Sequence, residues 1–342
     1  MTHHDGISEQ RRRREDELAR VFGGAIGDAL ADSSVTEVMV NPDGRLYIDR
    51  LRLGMSWSGL HIDARDTENA IVTAASELGA VADADHPSLS GALPLDGSRI
   101  QALMPPIVSA PTLSIRKHRK QGENGVPALT IDDFASTKAE RESYVSPALS
   151  LAGLSVPKII RIAVEHRWNV IINGSTSSGK TAFGGAYLDE ISRFAPLDRL
   201  IIIEDTIELR CESENHVSLL AGRARSQAQL LKDSMRLRPD RIIFGEVRDA
   251  AAHDLIKAWN TGHNGGFCTI HANSSQSALR RLEQLVQEAN VPVIPSAIAD
   301  AVDLIVTMKK GRDGRGRVVE LVRVAKNLDG ARYVLEQLEP MW

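Results

Sequence analysis

The chain has 342 residues, enough for two domains with cores of their own. A content of 42% hydrophobic and 25% charged residues is ordinary for a globular protein, and a net charge of −4 excludes a globally basic, nucleic-acid-like surface. Two cysteines, Cys211 and Cys268, exclude a disulfide framework, and no apolar run reaches the roughly 20 residues of a membrane span.

The chain opens on Thr2-His3-His4-Asp5 rather than on an apolar signal segment, so a cytoplasmic location is expected. Residues 8–31 are expected to be helical, because Leu18, Val21, Phe22, Ala25 and Ile26 recur at helical spacing. The basic run Arg11 to Arg14 is followed by Glu15, Asp16 and Glu17, which blunt it. It reads as the solvated end of a docked helix, with an anionic membrane surface as the alternative. Residues 37–41 and 45–50 flank Pro42-Asp43-Gly44 and predict a hairpin. Residues 66–79 predict a helix capped by Asp63 or Asp66, and 98–106 and 111–117 predict two further strands. This half, residues 1–116, is expected to be a small α+β domain. Residues 117–128 are charged and lack apolar periodicity, which marks a linker. A second domain is then expected over 129–342. It begins with a β-like run at 129–134 and a helical pair over 146–167.

Gly174-Ser175-Thr176-Ser177-Ser178-Gly179-Lys180-Thr181 fits the phosphate-loop pattern. Glycine permits backbone angles that let successive N–H groups point at a polyphosphate. Lys180 supplies a cation to the terminal phosphates, and Thr181 supplies a hydroxyl to Mg²⁺. The apolar run Asn169 to Asn173 precedes the loop and a helix-compatible stretch from Ala182 follows, which is the required strand–loop–helix setting. Gly184-Gly185 is an oddity there, since each glycine costs up to about 1 kcal/mol in a helix. Beyond the loop, strands at 199–203, 241–244 and 266–270 alternate with helices at 227–238, 250–261 and 274–290, which predicts a mostly parallel sheet. Stretches 303–309, 316–325 and 332–338 predict antiparallel strands, with a strongly basic exposed turn at 309–317.

ATP hydrolysis needs carboxylates that position water and metal. Glu204 with Asp205, and Glu246, fall at the ends of apolar strands, where open α/β sheets place their ligand crevice. Gly245 stands where many such ATPases carry a Mg²⁺-binding aspartate, which shifts metal duty, partly through water, to Glu204 and Asp205. His263 and His271 read better as sensors of a terminal phosphate than, with Cys268, as metal ligands, because the metal reading lacks a fourth ligand and paired spacing.

The segments GSTSSGKT, IIIEDTIEL, LRLRPDRIIFGEVRDAAA and TGHNGGFCTIHANS, together with VTEVMVNPDGRLYIDR and SRIQALMPPIVSAPTLSIRKH, resemble the secretion-ATPase superfamily of type II and type IV secretion and type IV pili. The likeness runs from about Ser34 to Leu338 and is greatest to the traffic ATPases of conjugative transfer. Ser175 and Ser178 depart from glycines common in the family. The resemblance implies an N-terminal α+β domain, a linker and a RecA-like phosphate-loop ATPase domain, assembled as a homo-hexamer with Mg·ATP between the domains. It implies an acidic box at Glu204, Asp205 and Glu208, a second motif at Gly245 and Glu246, and a histidine box at His263 and His271. It assigns Arg99 and Arg116 of the first domain to the phosphates. It further implies ATP-driven domain closure acting on inner-membrane channel components, with the protein peripheral at the cytoplasmic face. Sequence-specific nucleic-acid binding is not expected. Two rival readings are a RecA-like nucleic-acid-stimulated motor, disfavoured by 4% aromatic residues and the negative charge, and an ATP-binding scaffold, disfavoured by the intact Lys180, Thr181, Glu204 and Glu246.

Overall fold

The structure is a computed structural model that describes residues 22–94, 97–118, 151 and 153–339. The expected linker beyond residue 118, the run at 129–134 and the first half of the helical pair lie outside the described residues. The chain divides into two units, 1–146 and 147–342.

In the first unit, α1 (Gly24–Ala31) buries Ile26, Ala29 and Leu30. A six-stranded antiparallel sheet follows, in the order β3-β2-β1-β6-β5-β4. Its strands are β1 (Val35–Val40), β2 (Arg45–Arg50), β3 (Gly54–His61), β4 (Ser88–Ala92), β5 (Arg99–Leu103) and β6 (Thr112–Arg116). Gly44 holds the β1–β2 turn with a φ of 84°, and a Cβ there would lie 2.6 Å from the Ile62 carbonyl oxygen. Helix α2 (Ala64–Glu77) starts where the Asp63 carboxylate accepts the Arg65 N–H, and it lays Ala70, Ile71, Ala74 and Ala75 on the core. Strands β1, β5 and β6 face them with Val38, Val40, Ile100, Ala102, Leu113 and Ile115.

The second unit is built on an eight-stranded sheet, β14-β13-β12-β7-β11-β10-β8-β9. Six strands run parallel: β7 (Val170–Gly174), β8 (Leu200–Glu204), β9 (His216–Leu220), β10 (Arg241–Phe244), β11 (Phe267–Ile270) and β12 (Leu304–Lys310). Strands β13 (Gly316–Asp329) and β14 (Arg332–Gln337) add antiparallel at one edge. Strands β7, β8, β10 and β11 are buried at every position, which is why each reads as an unbroken apolar run rather than an alternation. The connecting helices are α3 (Val156–Glu165), α4 (Lys180–Phe194), α5 (Gln227–Ser234), α6 (Ala251–Asn260), α7 (Ser275–Gln287) and α8 (Pro295–Ala301). Helix α5 ends at Ser234, four residues short of the expectation.

The order of strands reverses at β7, with β12 on one side and β11 on the other. A crevice opens at such a switch point, beyond the carboxyl ends of the strands. At the opposite, amino ends, two fully buried arginines close the sheet. Arg199 donates to the Leu237 carbonyl at 2.7 Å and to Asn215 Oδ1 at 2.6 Å. Arg241 donates to Asp198 Oδ2 at 2.6 Å, the Gly265 carbonyl at 2.9 Å and the Val164 carbonyl at 3.0 Å.

Candidate active site

The phosphate loop joins β7 to α4. Gly174 has a φ of 155°, Gly179 sits in the left-handed region at 93°, and Ser177 takes a φ of 59°. The loop rests on the outer hairpin of the sheet. A Cβ on Gly174 would meet the Met308 carbonyl oxygen at 2.5 Å, and a Cβ on Gly316 would meet the Ser178 carbonyl oxygen at 2.5 Å and Gly179 Cα at 3.0 Å. The double glycine at the start of α4 is half explained by packing. Gly184 lies against Phe267 and Leu209, where a Cβ would sit 3.1 and 3.2 Å from their carbons, whereas nothing lies within 4 Å of the Gly185 position.

Beside the loop is a crevice of about 350 Å³. The start of α4 brings Lys180 and Thr181 to its wall, and strand ends bring Glu204, Asp205, Glu246 and His271, with Arg248 among them. The side chains form a continuous relay. Lys180 Nζ donates to the carbonyls of Gly174 at 3.0 Å and Ser175 at 3.1 Å, and lies 3.4 Å from His271 Nδ1. His271 Nε2 lies 3.2 Å from Glu246 Oε1. The tautomer with its proton on Nε2 satisfies both contacts, accepting from the lysine and donating to the glutamate. Arg248 closes the chain, donating to Glu246 Oε2 at 2.8 Å and to Asp205 Oδ2 at 3.0 Å. Burial pulls Lys180 below the usual ammonium range, against the Glu246 carboxylate that raises it; Arg248 nearby lowers it further. Burial alone would raise Glu246, yet the Arg248 hydrogen bond, His271 and the two cations Arg248 and Lys180 bring it below the ordinary carboxylate range. Glu246 is therefore held ionised.

Glu204 is buried at the end of β8. Its Oε1 accepts the N–H groups of Glu208 and Leu209, each at 3.1 Å. Burial, the larger influence, pushes its carboxyl up despite those two bonds, and the neighbouring Glu208 and Asp205 add to the rise. Its Oε2 is buried with no hydrogen-bond partner among the described residues. Gly245 explains how this carboxylate fits. A Cβ there would lie 2.7 Å from Glu204 Cγ, so Glu204 fills the space that a side chain at position 245 would need. The unsatisfied oxygen, Asp205, and the Thr181 hydroxyl, which donates to Glu208 Oε2 at 3.1 Å, form an all-oxygen donor set suited to Mg²⁺. Among the described residues no group of three or more His, Cys, Asp or Glu is arranged to hold a metal unaided. A Mg²⁺ held by these oxygens would need further ligands from outside the chain.

The structure corrects the expectation for His263. His263 does not reach the crevice. It follows α6 and precedes β11, its N–H bonding the Ala258 carbonyl, so it lies at the amino end of the strand whose carboxyl end delivers His271. Cys268, disfavoured as a metal ligand from the sequence, is fully buried inside β11, and burial pushes its thiol up to about 12. Arg99 and Arg116 belong to the first unit. They are direct cross-strand partners on β5 and β6, and Arg116 lies 3.7 Å from Glu37 on β1. Arg248 went unrecognised in the sequence. Its position two residues after Glu246 was readable, but its reach to Asp205 depends on β8 and β10 lying side by side.

The model of the family described as "Type II/IV secretion system protein" matches residues 146–313, the segment carrying the loop and the crevice. The conjugal transfer protein TrbB of Rhizobium radiobacter is 44% identical over 91% of this chain and 92% of its own length. A probable conjugal transfer protein TrbB of Sinorhizobium fredii is 42% identical over 95% of this chain and 94% of its own. The crystal structure of the VirB11 ATPase from the Brucella suis type IV secretion system, in complex with sulphate, superposes with a TM-score of 0.73 at 25% identity, covering 92% of this chain and 96% of that one. Likeness of this extent takes in both units as well as the loop, and with it the chain belongs to the type II/IV secretion system protein family.

Proposed function

We propose that this chain is an ATP hydrolase that works as a homo-hexameric ring and powers a type IV secretion apparatus of the conjugal-transfer kind. The observation that carries the reading is the convergence of Lys180, Thr181, Glu204, Glu246 and His271 on one crevice at the switch point of the sheet. Mg²⁺ bound with ATP would neutralise charge developing on the phosphates, held by Thr181, Glu204 and Asp205. The loop N–H groups and the amino end of α4 cradle the phosphates. Lys180, now on the Gly174 and Ser175 carbonyls, turns to them. Glu246, kept ionised by its neighbours, orients the attacking water and takes its proton. His271 links Lys180 to Glu246, so a change at the phosphates is passed to the group that holds the water.

The ring, the linker at 117–128, and the placing of Arg99 and Arg116 on the phosphates rest on the family resemblance. So does a peripheral position at the cytoplasmic face of the inner membrane, beside channel components. Among the described residues no helix is long and apolar enough to cross a membrane.

The test is Mg²⁺-dependent ATP hydrolysis at increasing protein concentration, beside Lys180→Ala. Specific activity is expected to rise with concentration and the variant to be inactive. A wild-type protein that binds ATP and never turns it over, alone or with its channel partners, overturns the hydrolase reading and leaves a nucleotide-binding scaffold.

A further inference from the structure

Arg248 lies between β10 and α6 and is the outermost member of the relay in the crevice. Its guanidinium spans two carboxylates on different strand ends, Asp205 Oδ2 at 3.0 Å and Glu246 Oε2 at 2.8 Å. Both partners have work to do in hydrolysis, Asp205 near the metal and Glu246 on the attacking water. In the arrangement described here neither is free to do it. Glu246 has one oxygen on Arg248 and the other on His271. The His271 contact belongs to a half-buried pair, while the Arg248 side chain is 61% exposed and can leave. Exposed ion pairs of this kind contribute little, so exchanging them costs little. A planar guanidinium fork matches phosphate oxygens at least as well as it matches carboxylates. Two cationic side chains line the crevice, Lys180 beside the loop and Arg248 among the acids. Lys180 serves the phosphates from the loop side, which leaves Arg248 as the cation on the side of Asp205 and Glu246.

We propose that Arg248 is a terminal-phosphate sensor: without a γ-phosphate it latches Asp205 and Glu246 together, and with ATP bound it transfers to the γ-phosphate and releases both. The proposal rests on the reading of the crevice as an ATP site. Binding of the triphosphate thereby unmasks the group that uses it. The water oxygen then bonds to the γ-phosphorus as the bond from that phosphorus to the β–γ bridging oxygen breaks. Glu246 takes the water proton, ADP leaves with the electron pair of the broken bond, and Arg248 neutralises charge on the transferred group. Once phosphate departs, ADP offers the guanidinium nothing at that position and the latch re-forms. Arg248 accordingly helps the site distinguish ATP from ADP.

The experiment is calorimetric binding, in Mg²⁺, of ADP and of a non-hydrolysable ATP analogue that keeps the γ-phosphate, with wild type, Arg248→Gln and Arg248→Lys. Turnover is measured on the same samples. Arg248→Gln is expected to weaken the analogue about 10-fold relative to ADP, and to lower kcat roughly 100-fold, as loss of a donor to developing charge does. Arg248→Lys keeps the charge without the fork and is expected to fall between. Equal losses for ADP and the analogue, or an unchanged affinity ratio with kcat retained, would overturn the proposal and make Arg248 a structural clamp. Absence of binding by either nucleotide to the folded wild type overturns the ATP-site reading itself, and the sensor with it. If Arg248→Gln does not fold, the ratio measured for Arg248→Lys decides between the same outcomes.

Discussion

At the scale of single residues, the phosphate loop works because of what is missing from its neighbours. Gly245 gives Glu204 its place, and Gly316, on a strand remote in sequence, supports the Ser178–Gly179 backbone from behind. The two nearest atoms facing Gly316 are backbone, so an added methyl cannot be absorbed by a rotamer change. Gly316→Ala is therefore expected to move the loop and weaken ATP binding roughly 10-fold or more, since small misplacements in such sites are costly. The melting temperature should change little, and equilibrium binding beside thermal unfolding checks this. Unchanged binding would mean that the loop is not held from that side. The loop itself was legible in the sequence because its chemistry is contiguous. Arg248 and Gly316 were not, because their significance lies in what other strands bring beside them. His263 was over-read for the opposite reason. It lies eight residues before His271 in sequence, but a strand separates them, placing the two at opposite ends of β11.

At the scale of elements, the strands missing from the sequence reading are β3, β4 and β9. Each lies at an edge of its sheet. An edge strand has a neighbour on one side only and needs no strict burial pattern. Six of the eight residues of β3, Gly54 to His61, are exposed. The central strands declared themselves by being apolar throughout. Helix α7 illustrates how an element is held where the site needs it. Its Ser274 cap forms a reciprocal capping box with Ser277. Glu320 on β13 then accepts the Ser275 N–H at 3.0 Å, the Ser275 hydroxyl at 2.8 Å and the Thr307 hydroxyl at 2.8 Å. Burial alone would raise the Glu320 carboxyl, but these bonds, with Lys309 nearby, bring it below the ordinary range. A carboxyl depressed in the folded state stabilises fully above its unfolded value and loses that contribution as pH falls through its folded value. Glu320→Gln is expected to cost about 1–3 kcal/mol near neutral pH. The gap to wild type should narrow as the pH drops below the usual glutamate range. Denaturant unfolding across that range measures it, and a gap independent of pH would contradict the assignment.

At the scale of the molecule, the second unit separates stability from chemistry along its strands. The amino ends carry buried arginines bonded to carbonyls and side chains around them, and the carboxyl ends carry exposed or under-satisfied acids. The buried Glu204 Oε2, left without a partner among the described residues beside the loop, is consistent with a ligand that completes it. The alternation of strands and helices made the parallel sheet readable, while the paired aspartates and arginines that close its amino end lay hidden in ordinary charged positions such as Asp198 and Arg241. The account turns on Glu246 as the base of a hydrolytic site. The most direct measurement is single-turnover ATP hydrolysis by Glu246→Gln, with nucleotide binding determined on the same sample. The amide keeps the shape and removes the charge, so the account predicts retained ATP binding and a rate lower by about 10²- to 10⁴-fold, the usual contribution of a positioned base. A variant that binds ATP and hydrolyses it at the wild-type rate would contradict it.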